Sequence, residues 1–197
     1  MTAPRPRVLI AHGWLGNAVQ FRWLARRVAE AGFDATVLSY PTLFAPFELA
    51  VDRARRAAER TAGGPLHLVG FSMGGLVSRY YVQRLGGIER VGRLVTISSP
   101  HNGTLFAHLI PNKGCRQMRP HSEFLRDLNS DVTMLARIEF TTIWTPLDLI
   151  IVPQRSSLLG VGREVKLWMP AHPLMVWHSH AIRAVAEVLR VQSSKLR

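Results

Sequence analysis

Short apolar runs alternate along the chain with segments of helical spacing. Five β-branched or apolar stretches, 8–11, 35–40, 66–71, 93–97 and 140–145, are separated by turn residues, and a sixth, 164–169, alternates less cleanly. Runs this short, apolar throughout and bounded by turn signals, fit strands buried on both faces, as in a parallel sheet covered by helices. Between the early strands Phe21, Leu24, Val28 and Ala29 fall at helical spacing, and near the end Ile182, Val185, Ala186 and Leu189 do the same. Asn17 with Gln20 predicts a capping pair ahead of the first helix, while Gly32, Gly63-Gly64 and Gly86-Gly87 stand where helix ends favour left-handed backbone. Strand and helix in alternation, joined by right-handed crossovers, predict an α/β architecture with a mainly parallel sheet of about six strands and helices on both faces. Functional loops then gather at the carboxyl ends of the strands. The stretch 102–131 breaks the rhythm with Pro111, Asn112, Gly114 and Pro120 before a short helical pattern at 123–128. It reads either as a cap or substrate-side loop or as an ordinary long connection.

Composition narrows the class without naming an activity. A chain of 197 residues, 47% hydrophobic and 19% charged, supplies one substantial core, so a single domain over 1–197 is expected. The one cysteine, Cys115, excludes an intramolecular disulfide. The apolar run after the first residues is too short for a signal peptide, and charges interrupt every stretch near the roughly 18 residues of a membrane span, so a cytoplasmic protein without a transmembrane segment is expected. A net charge of +12, concentrated at Arg53, Arg55, Arg56 and Arg60, suits nucleic acid, acidic substrates or peripheral contact with an anionic surface, and reads more plainly as arginine-biased composition. It carries no interleaved aromatics, zinc-ligand spacing or nucleic-acid motif, so no specific nucleic-acid partner is expected.

Chemistry enters at Gly70-Phe71-Ser72-Met73-Gly74-Gly75, a G-x-S-x-G sequence that follows a predicted strand and opens a predicted helix. Such a turn thrusts a serine hydroxyl into the open, and the glycines leave room where side chains would collide. Glycine-rich strand-to-helix turns also bind phosphate, but the lysine of the P-loop and the G-x-G-x-x-G spacing are both missing. Ser72 is therefore the candidate nucleophile. Acyl transfer needs N–H donors aimed at the developing oxyanion. The candidates are the backbone of Met73 and that of Trp14, in the His12-Gly13-Trp14-Leu15-Gly16 loop after the first strand. Trp14 as a buried aromatic and His12 as a loop residue bonded to backbone are the plain alternatives.

A serine hydroxyl needs a base, and the base needs a carboxylate to fix its tautomer. Asp148 follows the strand 140–145, whereas Asp127 and Asp131 precede it and fit worse. His172 follows the last strand directly, while His178 and His180 fall near or inside the terminal helix. No metal or organic cofactor is required for this chemistry. Apolar lining for an acyl chain is available from Leu43, Phe44 and Phe47 and, in the 102–131 region, from Leu105, Phe106, Leu109 and Ile110, all of which serve equally well as core.

His12-Gly13-Trp14, the Ser72 turn, Ser99-Pro100-His101-Asn102-Gly103-Thr104, Pro146-Leu147-Asp148 and His172 together resemble the small bacterial lipase and esterase branch of the α/β-hydrolase superfamily over nearly the whole chain. The resemblance implies the α/β-hydrolase fold with a minimal cap, and a serine esterase or lipase acting on esters with apolar acyl chains. It also implies that Ser99–Thr104 closes around Ser72. An acyltransferase or thioesterase with the same residues, or a non-catalytic interaction protein on the same fold, are the alternatives. No apolar lid helix and no secretory signal of that family are visible, which points to an esterase or intracellular acyl hydrolase.

Overall fold

The computed structural model describes residues 5–42, 47–60 and 64–191. In chain order they form β1 (Arg7–Ala11), α1 (Arg22–Glu30), β2 (Asp34–Val37), α2 (Phe47–Glu59), β3 (Leu66–Phe71), α3 (Met73–Arg84) and β4 (Val91–Ile97). There follow α4 (Lys113–Gln117), α5 (Glu123–Asn129), β5 (Glu139–Trp144), β6 (Arg163–Lys166), α6 (Leu174–Trp177) and α7 (Ser179–Arg190). The six strands lie in the order β2-β1-β3-β4-β5-β6, every neighbouring pair parallel. The expected α/β fold is borne out.

Because successive side chains on a strand point to opposite faces, each central strand feeds two separate cores. Leu9, Leu68 and Leu94 join a cluster with α2, α3 and α5, while Val8, Ile10, Val69 and Val95 join a second one with α1, α6 and α7. This two-sided burial is what makes the strands read as unbroken apolar runs. The chain leaves β1 for β2 on one side and returns to β3 on the other, so strand order reverses between β1 and β3. A crevice opens at the carboxyl ends of strands on either side of such a switch point.

Element ends differ from the sequence expectations where side chains take over from the ladder. β2 stops at Val37, and Tyr40, expected inside the strand, turns to stack on His12 with ring centroids 4.1 Å apart. β6 runs over 163–166 instead of 164–169; beyond it Leu167 N–H still donates to the Trp144 carbonyl at 2.8 Å, and Met169 is held by the Thr145 hydroxyl. Asn17 and Gln20 do exchange capping bonds, yet α1 starts only at Arg22, one turn later. Gly32 and Gly86 adopt the expected left-handed backbone at φ +101° and +75°, whereas Gly63 lies outside the described residues. The 102–131 stretch is folded, with a 3-10 turn at Leu105–His108 followed by α4 and α5. No described helix is long and apolar enough to cross a membrane.

Candidate active site

β3 ends against α3 with a single residue between them. That residue, Ser72, has φ +53° and ψ −123°, a conformation L side chains avoid. The turn survives because its neighbours have no Cβ. At Gly70 a Cβ would meet the Gly74 carbonyl oxygen at 2.5 Å, and at Gly74 it would run into the Ala11 carbonyl of β1. Ser72 N–H donates to Ile97 O at 2.8 Å, which ties the turn to β4. Gly13, after β1, sits so near that a Cβ there would come within 3.0 Å of Ser72 Cβ. The His12–Gly16 loop and the first turn of α3 thus flank the same serine. Met73 is the first residue of α3, where backbone N–H groups have no partner within the helix and the helix dipole is positive.

β5 and β6 bring the other two residues to this edge. Thr145 is the clasp between them: its hydroxyl donates to Met169 O at 2.8 Å and accepts from the N–H groups of Leu147 and Met169, both at 3.2 Å. Asp148, buried, accepts from Ile150 N–H and Ile151 N–H at 2.9 Å through one oxygen and meets His172 Nδ1 at 2.7 Å through the other. Burial pushes the Asp148 carboxyl pKa up, but the bond and charge of His172 with the two N–H groups outweigh it, so the pKa lies below the usual carboxylate value. An ionised Asp148 can only accept, so His172 donates from Nδ1 and leaves Nε2 as the basic nitrogen. The rings of His172 and Phe71 are 4.6 Å apart.

Ser72 and His172 line one cavity of about 310 Å³, together with Trp14, Phe106, Ile110, Met118, Ile151 and Trp177 among others. The lining is overwhelmingly apolar. Of the residues singled out in the sequence for an acyl chain, Phe106 and Ile110 line it. Leu105 and Leu109 do not; they stand exposed on the 3-10 turn beside it. Phe47 lies elsewhere, packed in the α2 core against Phe124 at 4.6 Å between centroids. Of the two roles open to it in the sequence, lining or core, Phe47 takes the core. Leu43 and Phe44 fall outside the described residues. His178 and His180 are exposed at the start of α7, where His178 caps the helix, and Asp131 pairs with Arg84 at 2.7 Å. His12 is stacked on Tyr40 and bonded to the Gly13 carbonyl, and burial lowers its pKa.

One contributor, Arg79, had no signal in the sequence pattern, and it acts on the Ser99–Thr104 segment. Arg79, two turns into α3, is fully buried and donates to Gln83, to Leu128 O at 2.9 Å, to Asn129 and to His101 Nδ1 at 3.3 Å. A guanidinium cannot accept, so His101 must carry its proton on Nε2 and donate to Thr96 Oγ1 at 3.0 Å. Burial, then the neighbouring Arg79, lowers the His101 pKa well below the ordinary value and keeps the ring neutral. Thr104 links the same loop to the Asp148 side: its hydroxyl donates to Ile150 O at 2.6 Å and accepts from Val152 N–H at 3.0 Å. The Ser99–Thr104 segment is thereby tied both to α3 and β4 and to the loop after β5. Among the described residues no group of three or more His, Cys, Asp or Glu side chains could hold a metal ion.

The fold is shared with solved structures of low sequence identity. Aspergillus fumigatus lipase B superposes with a TM-score of 0.80 at 18% identity over 92% of this chain, which spans only 52% of that lipase. The mature Bacillus licheniformis lipase BlEst2 gives 0.76 at 14% identity, covering 95% of this chain and 94% of its own. A Listeria innocua gene product gives 0.73 at 16%, covering 97% and 96%. No curated protein matches the chain. The profile of the palmitoyl protein thioesterase family matches residues 8–118, which hold β1, the Ser72 turn and the Ser99–Thr104 segment. That match spans more than half of the sequence and sits on an α/β-hydrolase fold, and the chain belongs to the palmitoyl protein thioesterase family.

Proposed function

We propose that this protein is a serine acyl hydrolase that cleaves carboxylic esters or thioesters of apolar acyl chains through an acyl-enzyme on Ser72. The observation that carries the reading is a histidine locked by its Nδ1 onto a buried carboxylate while it shares an apolar cavity with a serine on a strained turn. In the cycle His172 Nε2 takes the Ser72 proton as Oγ attacks the carbonyl carbon. The Met73 and Trp14 backbone N–H groups receive the oxyanion. Collapse of the tetrahedral intermediate breaks the bond to the alcohol or thiol, which leaves with the proton from His172. Water, deprotonated by the same nitrogen, then attacks the acyl carbon and releases the acid, and Oγ recovers its proton.

Phe106, Ile110 and Met118 favour an acyl chain as occupant, since each methylene buried among them contributes about 0.8 kcal/mol. Family membership favours the thioester over the oxygen ester as leaving-group chemistry. A fluorophosphonate probe followed by peptide mapping, with parallel series of p-nitrophenyl esters and acyl-coenzyme A thioesters of increasing length, tests the whole reading. Labelling at Ser72, lost in Ser72→Ala, with kcat/KM rising with chain length is expected. No labelling points to a non-catalytic protein on this fold, and indifference to chain length removes the acyl pocket.

A further inference from the structure

Exposed apolar side chains scattered singly need no explanation, but a gathering of them does. Among the described residues eleven large hydrophobics are exposed, and eight lie on segments that follow β1, β4, β5 and β6 at the carboxyl edge of the sheet. The other three, Trp23, Leu85 and Val191, are dispersed. Leu109 and Leu149 are 75% exposed and Trp168 65%. Leu15 and Trp177 belong to the lining of the Ser72 cavity, and Leu109 and Leu149 each precede a lining residue, Ile110 and Ile150. These four of the eight apolar side chains thus belong to the cavity lining or stand next to it in the chain. Leu15 even holds φ +59°, costly for a bulky side chain, in a position that leaves it in solvent.

The charge of this edge is one-sided. Segments 12–22, 98–121, 145–157 and 166–180 contain Arg22, Lys113, Arg116, Arg119, Arg155 and Lys166. Their one carboxylate is Asp148, which is buried on His172. Outside these segments Glu48, at the head of α2, reaches Lys113 at 3.4 Å, and Glu123 is exposed at the start of α5. The arginine cluster of α2 is a weaker anion site than its sequence suggests, because Arg55 and Arg56 are paired with Asp52 and Glu59 at 2.6–2.8 Å.

We propose that the carboxyl edge docks on an anionic lipid bilayer, with Leu109, Leu149 and Trp168 entering the headgroup boundary and the basic side chains meeting phosphates, so that the cavity mouth faces the acyl chains. Exposed leucines and tryptophans among cations, without exposed carboxylates on the same segments, are the composition of a surface that binds such a bilayer. A second copy of the chain is disfavoured as occupant, since the same six cations would face each other. The inference goes beyond the acyl-hydrolase reading and does not depend on Ser72 reacting.

The test uses the intact Ser72→Ala protein in co-sedimentation with phosphatidylcholine vesicles, with and without phosphatidylglycerol. Binding to the phosphatidylglycerol vesicles, weakened by salt, is expected. Arg116→Gln with Lys166→Gln lowers the partition coefficient about 25-fold, roughly fivefold per charge removed. Leu149→Ser with Trp168→Ser lowers it at least tenfold at unchanged thermal midpoint. Equal binding to both vesicle types, or parental binding by both double variants, overturns the proposal. So does light scattering that finds a dimer which the Leu149→Ser, Trp168→Ser variant dissociates. A protein that binds vesicles but refuses the fluorophosphonate leaves the docking intact and refutes only the hydrolase.

Discussion

Ser72 stands in a backbone conformation that costs an L residue about 1–3 kcal/mol, and the fold tolerates it because β1, β4 and α3 hold the turn from three sides. Ser72→Gly relieves the strain and loses the hydroxyl. Its unfolding free energy in urea is expected to rise by about 1 kcal/mol while ester hydrolysis disappears. A neutral or lower stability would show that the turn stores no strain. Arg79 presents the opposite balance, with a charge taken out of water and satisfied by Gln83 on its own helix and by acceptors from residues distant in sequence. Arg79→Met takes the donor from His101 Nδ1, Asn129 Oδ1 and Gln83 Oε1 together, while Leu128 O keeps the Gln83 amide. A loss of about 3 kcal/mol or more is expected. Arg79→Lys should recover little, because one ammonium cannot span the acceptors a planar guanidinium reaches. A loss under about 1 kcal/mol in urea melts would mean that water replaces the guanidinium there.

At the level of elements, the close approach of α3 to β1 is the dimension on which the site depends. Gly74 has no room for a methyl group, since the obstacle is the Ala11 carbonyl and backbone cannot step aside. Gly74→Ala is expected to cost several kcal/mol or prevent folding, through overpacking that separates the Ser72 turn from the Gly13 loop. Gly86→Ala is the contrast. Open space surrounds it, but φ is +75°, so the expected cost is only about 1–2 kcal/mol of backbone strain. Thermal midpoints of the two variants distinguish a steric limit from a torsional one. Equal losses would place Gly74 in the second class. α4 and α5 act differently: they close one core over the sheet and carry Cys115, with Met118 next to them, to the cavity wall.

For the molecule as a whole, the histidines shut into its interior set its response to acid. Burial, then the charge of Arg93, lowers the His67 pKa to about 4 from an ordinary 6.5. The unfolded chain therefore binds the proton first as pH falls. Stability from this group is complete above pH 6.5, declines between 6.5 and 4, and changes no further below that. The total is about 3 kcal/mol, in proportion to the shift. His12 and His101, also lowered, act in the same direction. Urea midpoints measured from pH 7.5 to 4 should fall, and His67→Gln should flatten the fall by that amount. An unchanged slope would show that His67 is protonated without unfolding.

Much of this architecture is written locally in the chain. Unbroken apolar runs predict strands buried on both faces, and a serine between Gly70 and Gly74 predicts a strained turn whose torsions only those glycines permit. The places of Asp148 and His172 after β5 and β6 follow from parallel topology, since every strand ends at the same edge. Local pattern has a limit, however: it tells which face of an element is apolar and leaves open what lies against that face. Phe47 and Phe106 are equally apolar in sequence, yet packing sends one into the α2 core and the other to the cavity wall. Nothing in the local pattern marks Arg79, whose acceptors Leu128 O and Asn129 arrive from a distant segment. The gathering of exposed leucines and tryptophans at the carboxyl edge exists only once the loops after four strands lie side by side. Torsional preference and hydrophobic period act over a few neighbouring residues and are carried by the chain itself, whereas burial of a polar group or exposure of an apolar one is decided by partners that only the folded molecule assembles.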